Sequence, residues 1–505
     1  MRLDNQKQLK IGAVLSYLSV GLNLLAGLVY TPWMLEKLGS SQYGLYTLAN
    51  SLISVFLLDF GLSAATAKYV SEYHARGEEE RVNRFLGTVY KLYLLIDAAI
   101  MTVLLVIYFL IDRIYANLTP TELEQFKVVY FIAATFSILN FPFVTLNGVM
   151  TAYEKFIQMK LAAVVQKFLQ VAIMVAALSA GCGLYTLVAV NAGLGLMVTV
   201  YKLVVIRKTT AVKADFAHGE KGIYGELFGF SAWTTVSSVA QRLVFNMVPT
   251  VLGMVSDSAQ IALFGVVVTI ESNVYLLISA IDGMFMPRIS KIYAGKASQG
   301  ETLELLLHTV GKYQFGLGGL IVAGFAVLGR EFIGYWVESG YALAYEGILL
   351  VVVPGIFYSA LQIANTAIVV RKEVKSFALV NLVVGLTSIS LSVPLAAKFG
   401  AIGACTAICV AYCVRAVLLN LLYSRKLQLN MIHFVKKCYL RMSVPIVLTI
   451  LLCACVNAHL PEIGWLGLCA KAILVCLVYA GMVLTFGLEQ GWHKLLGFCY
   501  KKSGK

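Results

Sequence analysis

The chain has 505 residues, of which 59% are hydrophobic and only 13% are charged, whereas soluble domains average about 25% charged residues. With a mean hydropathy of +0.81, so much apolar sequence cannot be buried in a water-soluble core, and the composition excludes a set of soluble domains in favour of a membrane protein. The formal net charge of +14 does not indicate nucleic-acid binding, because the basic residues lie in short loops between apolar segments.

A membrane-spanning helix needs about 20 mostly apolar residues. The N-terminal apolar segment is too long for a signal peptide and has no small-residue cleavage site, so we expect an uncleaved first span. By this length criterion the sequence predicts an all-α polytopic membrane protein with about 14 spans, at 11–34, 43–66, 89–111, 128–150, 161–180, 185–206, 227–252, 259–286, 311–330, 347–370, 377–397, 401–423, 442–459 and 464–486.

The basic residues of the loops are distributed unequally between the two sides of the membrane. Most of them fall on the side of the N-terminus. The opposite loops hold only Lys37, Arg113, Lys127, Arg330 and Lys398. Because loops rich in Lys and Arg remain in the cytoplasm, the distribution predicts a multi-pass protein of the cytoplasmic membrane with both termini cytoplasmic.

No motif in the sequence indicates catalysis. A phosphate-binding GxxxxGK[ST] is absent, no two histidines have HxxxH spacing, and none of the ten cysteines forms a CxxC pair. Cys405, Cys409 and Cys413 share one helical face, where the packing of small side chains is favoured over a metal site. We therefore expect no enzymatic activity, no cofactor and no metal.

A pattern in the first two spans returns about half a chain later, with Pro32, Leu38-Gly39, Gly44 and Asp59 corresponding to Pro249, Leu252-Gly253, Gly265 and Asp282. Internal repeats of this kind are common in transporters. We predict two six-helix lobes in the same orientation, at 1–210 and 211–425, followed by spans 13 and 14 and a tail at 426–505. A site between two such halves would open to one side of the membrane and then to the other.

Ionisable residues inside spans are costly when they face lipid, so they are candidates for a functional site. Arg242 lies near the middle of span 7, one turn before Asn246, and Glu271 lies near the middle of span 8. Two compatible interpretations stand: Arg242 and Glu271 line a water-filled cavity in which Arg242 meets a phosphate, or they form a buried structural ion pair. Arg415 in span 12 is a further cavity candidate. Lys471, near the outer end of span 14, is instead expected to extend its ammonium to the headgroups.

Three aspartates are candidates for gating or for coupling to an ion gradient. Asp282 lies three helical turns beyond Glu271, which predicts that both project from one helical face. Asp59 holds the equivalent place in span 2, and both aspartates lie near the cytoplasmic end. A gate, a helix-end contact and a solvated terminus are all compatible with that position. Asp97 lies in the inner third of span 3.

A family resemblance is concentrated in spans 1 and 2, with a counterpart in the second half. It is carried by Leu38-Gly39, Tyr43-Gly44-Leu45-Tyr46, Leu58-Asp59-Phe60-Gly61-Leu62, Ala67-Lys68-Tyr69-Val70-Ser71-Glu72, Phe264-Gly265 and Met286-Pro287-Arg288-Ile289-Ser290. In these residues the chain resembles the polysaccharide transporter branch of the multidrug/oligosaccharidyl-lipid/polysaccharide (MOP) exporter superfamily, the Wzx-like flippases of O-antigen and teichoic-acid type.

The resemblance implies a fourteen-helix, two-lobed fold that moves undecaprenyl-pyrophosphate-linked oligosaccharide to the outer leaflet for cell-surface polysaccharide biosynthesis. It also implies cationic cavity residues, for which Arg242 and Arg415 are the positions here, and glycan polymerase or assembly proteins as partners. Spans 1 and 2 lack the several arginines of the lipid II flippases, so we expect no close kinship with them. The alternatives are a cation-coupled multidrug exporter of the same superfamily, which is disfavoured because Asp59 is the only acidic residue of spans 1 and 2, and a membrane scaffold.

Overall fold

The computed structural model describes residues 18, 20–56, 59–210, 212–217, 223–280, 282, 285–295, 302–337, 339–461 and 464–487, which form helices and short turns without a strand. The all-α class is therefore confirmed over this part of the chain. The chain divides into two compact units, the first comprising Met1–Val266 and Asn381–Ala404, and the second Val267–Val380 and Cys405–Lys505. The lobes predicted at 1–210 and 211–425 are defined by a repeat in the sequence, whereas the two units are defined by how the chain packs. The lobe boundaries therefore stay a prediction.

We number the α-helices in chain order. Those that begin in the first unit are α1 (Thr31–Phe56), α2 (Leu62–Ala75), α3 (Glu79–Ile114), α4 (Pro120–Asn140), α5 (Leu146–Ala152), α6 (Phe156–Ser179), α7 (Leu184–Thr209), α8 (Ile223–Phe245), α9 (Val248–Val255) and α10 (Ser258–Ser279). Those that begin in the second unit are α11 (Met286–Tyr293), α12 (Leu303–Trp336), α13 (Ala344–Ser359), α14 (Gln362–Val370), α15 (Val374–Leu427), α16 (Met431–Phe434), α17 (Arg441–Asn457) and α18 (Gly464–Met482). Short 3₁₀ or π-helical turns adjoin several of them, at Ala26–Tyr30, Phe141–Thr145, Ser339–Tyr341, Val435–Leu440 and Val483–Gly487.

Among the described residues, 9 helical segments are long and apolar enough to cross a membrane, or up to 11 if each of two bent pairs is one span. The bent pairs are α8 with α9, at 43°, and α13 with α14, at 50°. Helix α15 is 54 residues long and breaks at Gly400, where φ is 57°, between the predicted spans 377–397 and 401–423. The start of the first predicted span lies outside the described residues, and the number of fourteen spans stays a prediction.

Besides the bent spans 227–252 and 347–370, the predicted spans 43–66 and 259–286 are interrupted. Between α1 and α2, Phe60 and Gly61 have φ values of 51° and 67°, a left-handed conformation that ends a helix. Between α10 and α11, the chain leaves the helix after Ser279 and starts again with a proline in the first turn of α11, where the missing N–H is tolerated.

The second of these breaks corrects an expectation about Asp282. This residue lies beyond the end of α10, so it does not continue the helix that carries Glu271. The predicted common helical face of Glu271 and Asp282 is therefore wrong. Asp59 and Asp282 each lie between a long helix and the short helix that follows it.

The same sequence of elements recurs within each unit. In the first unit, the short helix after the break, α2, packs against α5, which continues the span begun by α4. In the second unit, α11 packs against α14, which continues α13 after its bend. Gly148 allows the first of these contacts, because a Cβ there would lie 2.4 Å from the carbonyl oxygen of Ser63. The recurrence agrees with the repeat predicted from the sequence.

The last two helices pack within the second unit. The hydroxyl of Tyr479 on α18 donates to the carbonyl of Gly316 on α12, at 2.7 Å. Nζ of Lys471 lies 2.9 Å from Oε2 of Glu331, with side chains only 8% and 6% exposed. The expectation that Lys471 reaches the headgroups is therefore wrong, because its ammonium is neutralised inside the helix bundle by a carboxylate far away in the sequence.

Candidate functional site

Polar and aromatic side chains surround a narrow crevice in the second unit. Glu271 and Tyr275 lie one turn apart on α10, Tyr358 lies near the end of α13, and Tyr412 lies on α15, and all four line the crevice. The open space among them is about 10 Å³, roughly what a single water molecule needs. The crevice therefore has no room for a sugar or a phosphate in this conformation.

The guanidinium of Arg415 stacks on this group of tyrosines. Its Cζ lies 3.6 Å from the centre of the Tyr358 ring and 5.8 Å from that of Tyr412, and the residue is only 4% exposed. A cation over a tyrosine face is stabilised by the ring quadrupole, by about 2 kcal/mol or more when water is excluded. The tyrosines thus explain how a guanidinium is retained among apolar helices.

A chain of hydrogen bonds connects the crevice to the bend between α13 and α14. The hydroxyl of Tyr423 donates to Oδ1 of Asn365, and Nδ2 of Asn365 donates to Oε1 of Gln362 at 3.0 Å. Nε2 of Gln362 then donates to the hydroxyl of Tyr275 at 3.2 Å. Because Gln362 is the first residue after the bend, the orientation of Tyr275 beside Glu271 depends on the geometry of the bend.

We call Glu271, Tyr275, Tyr358, Tyr412 and Arg415 the tyrosine–arginine site. A carboxylate, a guanidinium and several phenol hydroxyls can bind anions and hydroxyl groups and can hold a proton. They include no nucleophile with an adjacent base, so the geometry suits binding rather than covalent catalysis. Among the described residues, no group of three or more His, Cys, Asp or Glu side chains could hold a metal ion.

Sequence reasoning identified Glu271 and Arg415 but missed the tyrosines between them. The structure brings the two residues to the same tyrosines, although α10 and the second half of α15 are far apart in sequence. A usable signal was present, because Tyr412 precedes Arg415 by three residues and so shares its helical face. No sequence signal pointed to Gln362 and Asn365, since their hydrogen-bond partners depend on the bend between α13 and α14.

Arg242 lies in the first unit, where its Nη1 donates to the backbone carbonyl of Ser54 near the end of α1. The last carbonyls of a helix have no partner within the helix, and a cation beside them is favoured by the helix dipole. The contact supports a structural task for Arg242 in this conformation, and its role in ligand binding stays a prediction. Asn246 lies in the turn between α8 and α9, and its N–H donates to the carbonyl of Arg242 at 2.9 Å.

The three aspartates have different surroundings. Oδ1 of Asp59 accepts bonds from the hydroxyls of Ser63, at 2.6 Å, and Tyr93, at 2.9 Å, and so makes a contact at the start of α2. Asp282 accepts from the buried amide of Gln314 on α12. Asp97 is 8% exposed, and its Oδ1 has no hydrogen-bond partner within the described part of the chain. Roles in gating or coupling stay predictions for all three.

Comparisons with solved structures show the fold. The lipid II flippase MurJ, in an inward closed conformation, matches with a TM-score of 0.73 at 15% identity, over 94% of this chain and 98% of its own. An inward-facing multidrug resistance MATE family transporter of the MOP superfamily matches with a TM-score of 0.62 at 13% identity, over 86% of this chain and 97% of its own. The eukaryotic MATE transporter AtDTX14 matches with a TM-score of 0.61 at 16% identity, over 86% of this chain and 98% of its own.

At 15% identity, the structural similarity to MurJ shows a shared fold and no more. The expectation of no close kinship with lipid II flippases therefore stays a prediction. No curated protein sequence matches the chain significantly. The family of polysaccharide biosynthesis proteins matches over residues 9–293, more than half of the sequence. The two-lobed fold predicted from the resemblance is confirmed, and the chain belongs to the polysaccharide biosynthesis protein family.

Proposed function

We propose that this protein is a flippase that carries a polyprenyl-pyrophosphate-linked oligosaccharide across the cytoplasmic membrane by alternating access, with both termini in the cytoplasm. The observation that carries the proposal is a buried arginine stacked on tyrosines, with a carboxylate beside them, inside a helical protein of the polysaccharide biosynthesis family. Support also comes from the fold shared with MurJ, a protein described as a lipid II flippase.

The chemistry of such a substrate suits the tyrosine–arginine site. A planar guanidinium can bind a pyrophosphate with two parallel charge-assisted hydrogen bonds, which a lysine cannot reproduce. Phenol rings and hydroxyls can pack against a sugar and bond to its hydroxyl groups. The polar head would occupy the polar site after the crevice opens, while the polyprenyl tail stays in lipid.

The energy source would be an ion or proton gradient, because the sequence contains no GxxxxGK[ST] motif for ATP hydrolysis. We propose Glu271, Asp97 and Asp282 as the candidate carriers. Asp97 has a specific argument in its favour, since a buried carboxylate oxygen without a hydrogen-bond partner is costly unless the group takes up a proton or an ion.

The first test is surface glycan display in a deletion strain that produces wild-type protein, Arg415→Ala or Arg415→Lys. We expect loss of display with both variants, because the pyrophosphate is bound bidentately and the stacking on Tyr358 needs a planar cation. Arg425→Ala is a matched control, since Arg425 is an exposed residue near the end of the same helix. Normal display with Arg415→Ala at normal abundance would refute the role of this site. The same assay with Arg242→Ala and Arg242→Lys tests the first-unit candidate.

A cation-coupled multidrug exporter remains the second candidate, because MATE transporters share the fold and Glu271 lies among tyrosines that could receive an organic cation. One observation weighs against it: Arg415 already occupies the face of Tyr358 and would repel a second cation. The deletion strain separates the two candidates. Unchanged surface glycan together with increased sensitivity to cationic drugs would favour the exporter.

A further inference from the structure

A second cavity, separate from the tyrosine–arginine site, opens along α12 in the second unit. Its volume is about 680 Å³, and it is bounded by α12, by α16 with the π-helical turn that follows, and by the end of α18. We call it the basic groove. Its cationic and ionisable lining residues are Glu304, His308, Lys312, His433 and Lys437, and its apolar lining residues include Leu317, Leu320, Met442, Tyr479 and Val483.

The charges of the basic groove are concentrated at one end. His308 and His433 meet edge to face, with ring centres 5.2 Å apart, and Lys312 and Lys437 line the groove beside them. Among the described lining residues, Glu304 supplies the carboxylate, and its Oε1 lies 3.8 Å from Nε2 of His308. Two lysine ammonium groups and two imidazole rings, which can donate N–H bonds, make this end suited to an anion with several oxygen atoms.

The other end of the basic groove is apolar and extends over most of the thickness of one leaflet. At 1.5 Å per residue, Leu320 lies roughly 12 Å beyond Lys312 along α12, and one leaflet of hydrocarbon is about 15 Å thick. The hydroxyl of Tyr479 donates to the carbonyl of Gly316 there, which joins α18 to α12. The basic end adjoins the start of α12, which the loop charges predict to be on the cytoplasmic side.

We propose that the basic groove binds an anionic phospholipid of the inner leaflet, with the phosphate beside the two lysines and the two histidines and an acyl chain along the apolar end. The lysines of the lining favour a phosphate group, and the apolar end of the groove favours a lipid over a soluble phosphate. This ligand is additional to the transported one, so the proposal does not depend on the proposed flippase function.

The test uses the full-length protein in neutral detergent and follows its thermal unfolding midpoint as lipid is added. Phosphatidylglycerol should raise the midpoint of the wild type, whereas phosphatidylcholine and inorganic phosphate should not. In Lys312→Gln/Lys437→Gln, we expect the half-saturating phosphatidylglycerol concentration to rise about tenfold. A change of this size corresponds to the loss of at least one charge-assisted contact. Leu317→Trp should have the same effect by filling the path of the acyl chain.

Lys372→Gln/Lys436→Gln is the matched control, because it removes two exposed lysines, and Lys436 directly precedes Lys437 without lining the groove. It should respond to phosphatidylglycerol as the wild type does. The unfolding midpoint without lipid shows whether each variant is folded. Equal responses of the two double variants would overturn the proposal, and so would stabilisation by inorganic phosphate alone. A stronger response to polyprenyl phosphate than to phosphatidylglycerol would assign the groove to the transported lipid instead.

Discussion

Buried charges in this protein are stabilised by specific partners rather than by solvent. Arg415 is held by the ring of Tyr358, and Lys471 is held by the carboxylate of Glu331. Each arrangement removes a charge from lipid, where an isolated ion would cost several kcal/mol or more. The two differ in the kind of partner. A planar guanidinium can stack on an aromatic ring, whereas the ammonium of Lys471 is neutralised by a carboxylate.

At this scale we predict that breaking the Lys471–Glu331 pair destabilises the protein. Lys471→Met or Glu331→Gln alone should lower the free energy of unfolding by about 3–5 kcal/mol, since each leaves one buried charge unpaired. The double variant should recover most of that loss. Thermal unfolding in detergent measures all three.

The control for the buried pair is the exposed pair of Lys426 and Glu373, whose charged atoms are 3.2 Å apart. Lys426→Gln should change stability by at most about 1 kcal/mol, because solvent screens exposed pairs. If Lys471→Met were as mild as Lys426→Gln, the buried pair would not stabilise the helix bundle.

For Asp97 we predict no loss of stability on substitution, in contrast to Lys471 and Glu331, because its Oδ1 has no partner among the described residues. Asp97→Asn should leave the unfolding midpoint unchanged or raise it, since a buried charge is replaced by a neutral amide. If Asp97 carries the coupled proton or ion, the same variant should abolish gradient-dependent transport. A folded Asp97→Asn protein with full glycan display would exclude the coupling role.

The helices that follow the two breaks depend on close backbone contact. Helix α2 approaches α5 so closely that a Cβ at Gly148 would lie 2.4 Å from the Ser63 carbonyl oxygen and 2.8 Å from Thr66 Cβ. These are backbone and branched side-chain atoms with little freedom to move away. The contact therefore determines where α2 lies, and with it the position of Asp59.

We predict that Gly148→Ala lowers stability by about 1–3 kcal/mol through overpacking at this contact. Gly193→Ala is the matched control, because Gly193 lies within α7 and a Cβ there meets nothing within 4 Å. That substitution should be neutral or stabilising by up to about 1 kcal/mol, as alanine favours a helix. An equal response of both variants, measured by thermal unfolding, would contradict the close packing of α2 on α5.

For the molecule as a whole, the orientation in the membrane is open to a direct test. The turn at Cys182, between α6 and α7, is predicted to be external by the loop charges. In a variant that keeps Cys182 as its single cysteine, a membrane-impermeant maleimide should label intact cells. With Cys182 also replaced and Arg425→Cys introduced, labelling should require permeabilised cells. The reverse pattern would invert the predicted topology.

The sequence alone determined the class of this protein. Apolar segments of spanning length, basic loops on one side and the repeated motif around Asp59 and Asp282 act through composition and local spacing, which do not depend on how the helices pack. The same reasoning selected Glu271 and Arg415, because an ionisable residue in mid-span is costly wherever the helix lies.

Only the tertiary structure decided which partners these residues have. The tyrosines that hold Arg415, the glutamate that pairs with Lys471 and the carbonyl that accepts from Arg242 come from helices distant in sequence. The breaks in which Asp59 and Asp282 lie likewise became visible in the backbone, since local apolarity continues across them. Spacing along a chain specifies the face of a helix, but the neighbour of that face is set by packing among helices, which the sequence encodes only collectively.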